Sequence, residues 1–131
     1  MIYLLDVSAL LGLGYDGHEF HARILRWVQG YGKGSVPKLA TCAITELGFV
    51  RILSQLPEAD VSIEEACDFM RRLKEGYSVR MFSDDHGVHR LPKWVKTARQ
   101  TTDGHLVELA KAHSAVLATF DEKIAGAFVI S

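Results

Sequence analysis

Cysteine is nearly missing from this chain, with Cys42 and Cys67 the two examples among 131 residues. They form no C-x-x-C pair and cannot build a disulfide framework, so both are expected as unpaired, buried thiols of a reducing compartment. Long apolar runs are missing too: none approaches the roughly 20 residues that span a bilayer. A basic leader is lacking at the N-terminus, and Asp6 interrupts the apolar start, so no signal peptide is expected and the cytoplasm is the expected location. An excess of charge of one sign is also absent. Fifteen Lys and Arg stand against 16 Asp and Glu, a net charge of −1. Such a chain cannot coat nucleic acid through bulk charge, and binding would need a local basic patch. Arg71, Arg72, Arg80, Lys93, Lys96 and Arg99 could supply one, or could lie on solvated helix faces. Repeats and low-complexity linkers do not occur. What is present, 48% hydrophobic and 24% charged residues, suits one globular domain over 1–131 with a single core.

Hydrophobic periodicity divides the chain. Residues 2–6 read as a buried strand of the nearly continuous apolar kind that parallel sheets require. Gly12 and Gly14 are expected to break the chain. Phe20, Ile24, Trp27 and Val28 make a helical stripe over 18–29, and Gly30, Gly32 and Gly34 end it in a loop. That glycine segment follows a helix and fits neither phosphate-binding spacing. A strand over 38–42 and a helix over 43–55 come next. Ser62 with Glu65 three positions on is a capping box, opening a helix through about residue 75. The alternation of Tyr77, Val79 and Met81 predicts a strand over 77–82, followed by a polar loop over 83–89. Pro92 should begin a short helix carrying Trp94 and Val95. Thr102 should cap a helix with Leu106, Leu109, Ala110 and His113 inward. A strand over 115–120 and a terminal apolar run over 127–130 complete the alternation. The fold class is therefore α/β, a doubly wound parallel sheet.

Four acidic residues carry the chemistry. Asp6 closes the first strand, Asp121 closes the strand over 115–120, Asp103 falls in a first helical turn, and Glu46 sits in an unusually apolar helix. Open parallel sheets bind ligands beyond the carboxyl ends of their strands. Carboxylates gathered there raise one another's pKa unless a cation neutralises them, and hard divalent ions take oxygen ligands. A metal-dependent phosphodiesterase site follows as the leading idea. Each residue has a local alternative. Asp6 and Asp121 could be capping or turn residues, and Asp103 could be an ordinary first-turn carboxylate. Glu46 could pair with Arg51 or a distant arginine. Ser8 and Thr119 could bond metal-bound waters or only local backbone. His86 and His89 beside Asp84 and Asp85 are read as a solvated or RNA-contacting loop rather than a zinc site.

The same residues carry a family resemblance. Leu4-Leu5-Asp6-Val7-Ser8-Ala9-Leu10 resembles the opening motif of PIN-domain nucleases, and Thr45-Glu46-Leu47 resembles their second acidic motif. The run Thr101-Thr102-Asp103-Gly104-His105-Leu106-Val107-Glu108-Leu109-Ala110 and the segment Leu117-Ala118-Thr119-Phe120-Asp121 are similar to the third and fourth. Order, spacing and length fit the VapC-like toxins of bacterial toxin–antitoxin pairs. Two departures are the short C-terminus and Gly104, where a bulkier residue is common.

The resemblance implies a three-layer α/β/α sandwich and Mg²⁺- or Mn²⁺-dependent hydrolysis of RNA. It implies a homodimer and a VapB-like antitoxin. It makes Asp6, Asp103 and Asp121 metal ligands and Glu46 the residue that orients or deprotonates the attacking water, with Ser8 and Thr119 as supporting donors. The apolar helix around Glu46 adds an expectation of its own: Phe49, Ile52, Leu53 and Leu56 should remain uncovered, with Phe49 and Leu53 binding a partner. An inactive PIN-like module binding RNA or protein is the alternative, with a phospho-receiver domain behind it.

Overall fold

The computed structural model describes residues 1–30 and 36–131; Gly32 and Gly34 of the expected glycine loop lie outside them. Five parallel strands form one sheet, β1 (Ile2–Leu5), β2 (Lys38–Cys42), β3 (Arg80–Phe82), β4 (Ala115–Thr119) and β5 (Phe128–Val129), in the order β3-β2-β1-β4-β5. Among the described residues five α-helices flank the sheet: α1 (Val7–Gly14), α2 (His21–Val28), α3 (Ala43–Gln55), α4 (Ile63–Tyr77) and α5 (Thr101–Ala112).

Alternation along the strands separates two cores. Leu5, Leu39 and Ala118 join Leu10, Ile24, Phe49, Leu53 and Met70 from α1 to α4 on one face. Leu4, Ala40, Cys42 and Leu117 join Leu106, Leu109 and Ala110 of α5 on the other. The result is the parallel sheet expected from the alternating pattern, in the α/β/α sandwich that the family resemblance implies.

Several local expectations are corrected. Gly12 and Gly14 lie in α1 rather than breaking the chain. They are there for close approach: a Cβ on Gly12 would stand 2.9 Å from the Phe120 ring, and one on Gly14 2.8 Å from Phe49. Tyr77 ends α4, and Ser78 caps it at φ 51°, so the third strand shrinks to Arg80–Phe82. The alternating side chains there were the last turn of a helix and its cap. No helix forms at Pro92; 3₁₀ turns occupy Val88–Arg90 and Ala98–Gln100 instead. Thr102 lies inside α5, and the capping box belongs to Thr97 and Gln100 one turn earlier.

Phe49 and Leu53 do not form a free surface. Both are fully buried, as α3 packs between α1 and α4 and the chain's own helices cover them. Ile52 and Leu56 are half-buried against the same core. The exposed apolar side of α3 is Ile44 and Leu47 instead. Gly104 also has a purpose: a Cβ there would collide with Val95 and stand 3.1 Å from Pro92. That small residue lets the segment before α5 cross its first turn.

Candidate active site

The strand order reverses between β1 and β4, which makes their carboxyl ends the switch point of the sheet. Asp6 follows β1 and donates its backbone N–H to the Ala118 carbonyl of β4 at 3.1 Å. Asp121 follows β4 after Phe120. Helix α5 runs back to the amino end of β4, so its first turn, with Asp103, lies at the carboxyl edge. Sequence positions 6, 103 and 121 thus reach one rim.

Asp6 is the most constrained of them, only 6% exposed. It caps α1, its Oδ1 accepting from the Ala9 N–H and the Ser8 hydroxyl, each at 2.8 Å. The Thr119 hydroxyl also acts on this carboxyl, lowering its pKa. Burial nevertheless raises the Asp6 pKa above its ordinary 3.8, against these hydrogen bonds and with help from the Asp121 charge. Asp103 is also raised, first by burial, then by the charges of Asp6 and Asp121. Asp121 is held by a local turn: its N–H donates to Thr119 Oγ1 at 3.0 Å and its Oδ1 accepts from the Lys123 N–H at 2.9 Å. Ser8 and Thr119 therefore act on the carboxylates themselves.

No Lys, Arg or His among the described residues forms an ion pair with Asp6, Asp103 or Asp121. Nor do three or more His, Cys, Asp or Glu side chains, among the described residues, stand together closely enough to hold a metal ion between them. The donor set fits a hard cation held by one or two carboxylates and completed by water, which is how Mg²⁺ is usually bound. It does not fit a four-ligand zinc site.

Glu46 stands somewhat apart. It lies in the first turn of α3, whose preceding strand β2 neighbours β1. Its Oε2 accepts from Thr41 Oγ1 at 2.5 Å and pairs with Lys74 Nζ of α4 at 2.9 Å. The partner is a lysine rather than Arg51 or another arginine. Neither Asp6 nor Asp103 has Glu46 among the charges acting on it. Nothing in the local pattern announced Lys74, because 28 residues separate it from Glu46 and only the packing of α3 on α4 joins them.

The loop before the 3₁₀ turn Val88–Arg90 also carries an unforeseen contact. Asp84 Oδ2 meets His105 Nε2 of α5 at 2.5 Å, and Asp84 Oδ1 accepts from the His86 N–H at 3.0 Å. The loop is thereby fastened at Asp84, two residues from Asp103, while Asp85, Gly87, Val88 and His89 stay exposed as expected. Arg71 and Arg72, candidates for a basic patch, pair with Asp68 and Glu75 on the surface of α4.

A parallel α/β sandwich with carboxylates gathered at its switch point is the class of protein that fold and site define. A PIN domain model matches residues 3–127, and the chain belongs to the PIN domain family. Among its relatives it is 36% identical over 132 residues to Ribonuclease VapC38 of Mycobacterium tuberculosis, covering 98% of this chain and 89% of that one. To Ribonuclease VapC44 of the same species it is 35% identical over 129 residues, covering 93% and 87%. The fold is shared with VapBC2 from Rickettsia felis, solved bound to a DNA fragment from its promoter, at TM-score 0.59 and 14% identity, over 98% of this chain and 97% of that one. It is shared also with FitAB bound to a DNA fragment, at TM-score 0.60 and 21% identity, over 95% and 87%.

Proposed function

We propose that this protein is a metal-dependent endoribonuclease, the toxin of a toxin–antitoxin pair, which hydrolyses RNA phosphodiester bonds with a metal-activated water. The observation that carries this is the set of three aspartates at one sheet edge, two with raised pKa values and none with a cationic partner among the described residues. Unbalanced carboxylates of this kind call for a hard cation. The curated relatives are named ribonucleases of the VapC type, which supports the nuclease reading; a VapB-like antitoxin and a second copy of the chain would be its protein partners.

Asp6 and Asp103 would hold Mg²⁺ or Mn²⁺, with Asp121 completing the site. The ion, when bound, lowers the pKa of a water and stabilises charge on the phosphoryl oxygens. Ser8 and the Ala9 N–H keep the Asp6 carboxylate fixed in orientation. Thr119 acts on the Asp6 carboxyl and holds the Asp121 backbone. Glu46 would orient the attacking water or take its proton, with Thr41 and Lys74 setting where its carboxylate can stand.

Titration with Mn²⁺, followed by assay of RNA cleavage, tests the reading. Binding and cleavage by the unaltered protein, both lost in Asp6→Asn plus Asp103→Asn, are expected. Equal Mn²⁺ binding by the two proteins would remove the site and leave a non-cleaving module.

A further inference from the structure

A group of flat side chains gathers on Phe120, the residue before Asp121, and has no part in holding the carboxylates. His18, Phe20 and Phe120 meet ring to ring, with centroids 5.8 Å apart for His18 and Phe20, 4.8 Å for Phe20 and Phe120, and 5.9 Å for the nearly parallel His18 and Phe120. The Arg23 guanidinium carbon lies 4.2 Å over the Phe20 centroid. All four residues are half-buried. Phe120 packs on the core of α1 and α2, but Phe20 belongs to neither core. Its ring stands on other rings and a guanidinium at the surface. Gly12 makes the arrangement possible, since a Cβ there would press on the Phe120 ring.

Position gives this cluster its meaning. Phe120 lies between Thr119, whose Oγ1 holds the Asp121 N–H, and Asp121 itself, so it ties the ring group to the rim where a phosphodiester would be held. Unpaired bases are bound by stacking on aromatic side chains and on arginine planes, with little dependence on base identity. A guanidinium already over a ring adds a cation close to the nucleotide backbone. Bulk charge cannot hold RNA on a chain of net charge −1, which leaves affinity to local devices of this kind.

We infer that His18, Phe20, Phe120 and Arg23 form a stacking platform for an unpaired base of single-stranded RNA next to the cleaved bond; this rests on the nuclease reading above. Phe20 with the Arg23 guanidinium laid over it supplies the stacking surface, and Phe120 anchors the platform to the core. A base-paired strand cannot use it, because its bases are stacked on each other.

The test is fluorescence anisotropy of a short dye-labelled single-stranded RNA with the full chain in EDTA, alongside the same RNA annealed to its complement. Phe20→Leu keeps an apolar side chain but no ring, and Phe20→Tyr keeps the ring. Phe20→Leu should weaken single-strand binding by roughly five- to hundredfold, and Phe20→Tyr should restore it. The duplex should bind all three proteins weakly and alike. Because Phe20 lies outside both cores, thermal unfolding should be unchanged in either variant. Unchanged binding by Phe20→Leu, or equal loss in Phe20→Tyr, overturns the platform. Cleavage by the unaltered protein with Mn²⁺ is scored separately. Cleavage with unchanged Phe20→Leu binding and KM sinks the platform alone, whereas ring-dependent binding without cleavage sinks the nuclease reading alone. An unaltered protein that binds no RNA overturns both.

Discussion

At the scale of single residues, Asp6 joins structure to chemistry. It caps α1 through the Ala9 N–H and is also the most buried carboxylate of the rim. Asn caps helices about as well as Asp, so Asp6→Asn removes the charge and keeps the cap. RNA cleavage should fall on the order of 10²-fold or more in that variant, with the far-ultraviolet circular dichroism unchanged. The raised pKa values of Asp6 and Asp103 have a second consequence. The folded protein binds protons that the unfolded chain has released, so stability without metal falls as pH rises from about the ordinary carboxyl value of 3.8. It levels off once both folded-state pKa values are passed. In EDTA at neutral pH, Asp6→Asn should therefore melt above the unaltered protein and show a shallower fall with pH. A lower melting temperature across the whole range would contradict the assigned burial cost.

At the scale of elements, α3 and the start of α5 make opposite demands on side-chain volume. Leu53 is fully enclosed, and Leu53→Ala should cost about 2–5 kcal/mol in urea unfolding. Leu47, 70% exposed on the same helix, should change stability by less than about 0.5 kcal/mol on substitution by Ala. An interface assay using Phe49 or Leu53 variants would report loss of fold, not loss of a partner. In α5, replacing a helical Gly by Ala ordinarily helps by about 1 kcal/mol. At Gly104 the added methyl meets Val95 and Pro92, so Gly104→Ala should instead cost about 1–3 kcal/mol. Combining it with Val95→Ala should give a loss smaller than the sum of the two. Additive losses would show that the collision is relieved in another way.

At the scale of the whole molecule, the metal proposal is a statement about folding as well as catalysis. The three aspartates come from opposite ends of the sequence, at positions 6, 103 and 121, and only the folded chain presents them together. A divalent ion that binds this arrangement and not the unfolded chain must stabilise the fold. At a hundred times its Kd, Mn²⁺ should add about 2.7 kcal/mol in urea unfolding. Asp6→Asn plus Asp103→Asn should show none of that gain, and a similar gain in both proteins would place the ion elsewhere.

The sequence by itself determined the class of fold, the helix over Ala43–Gln55, the capping box at Ser62 and the four acidic positions. These are local signals, written in periodicity, caps and strand ends, and they survive any packing that buries the apolar residues. Tertiary structure alone decided matters of proximity. It gave Glu46 the distant Lys74 as its partner, fastened the loop of Asp84 to His105, and turned Phe49 and Leu53 from expected surface into core. It also made helix-breaking glycines into helix members, because rings from other segments need the space a Cβ would fill. Periodicity tells a residue which side of its own element it occupies; what covers that side depends on elements far away in the chain.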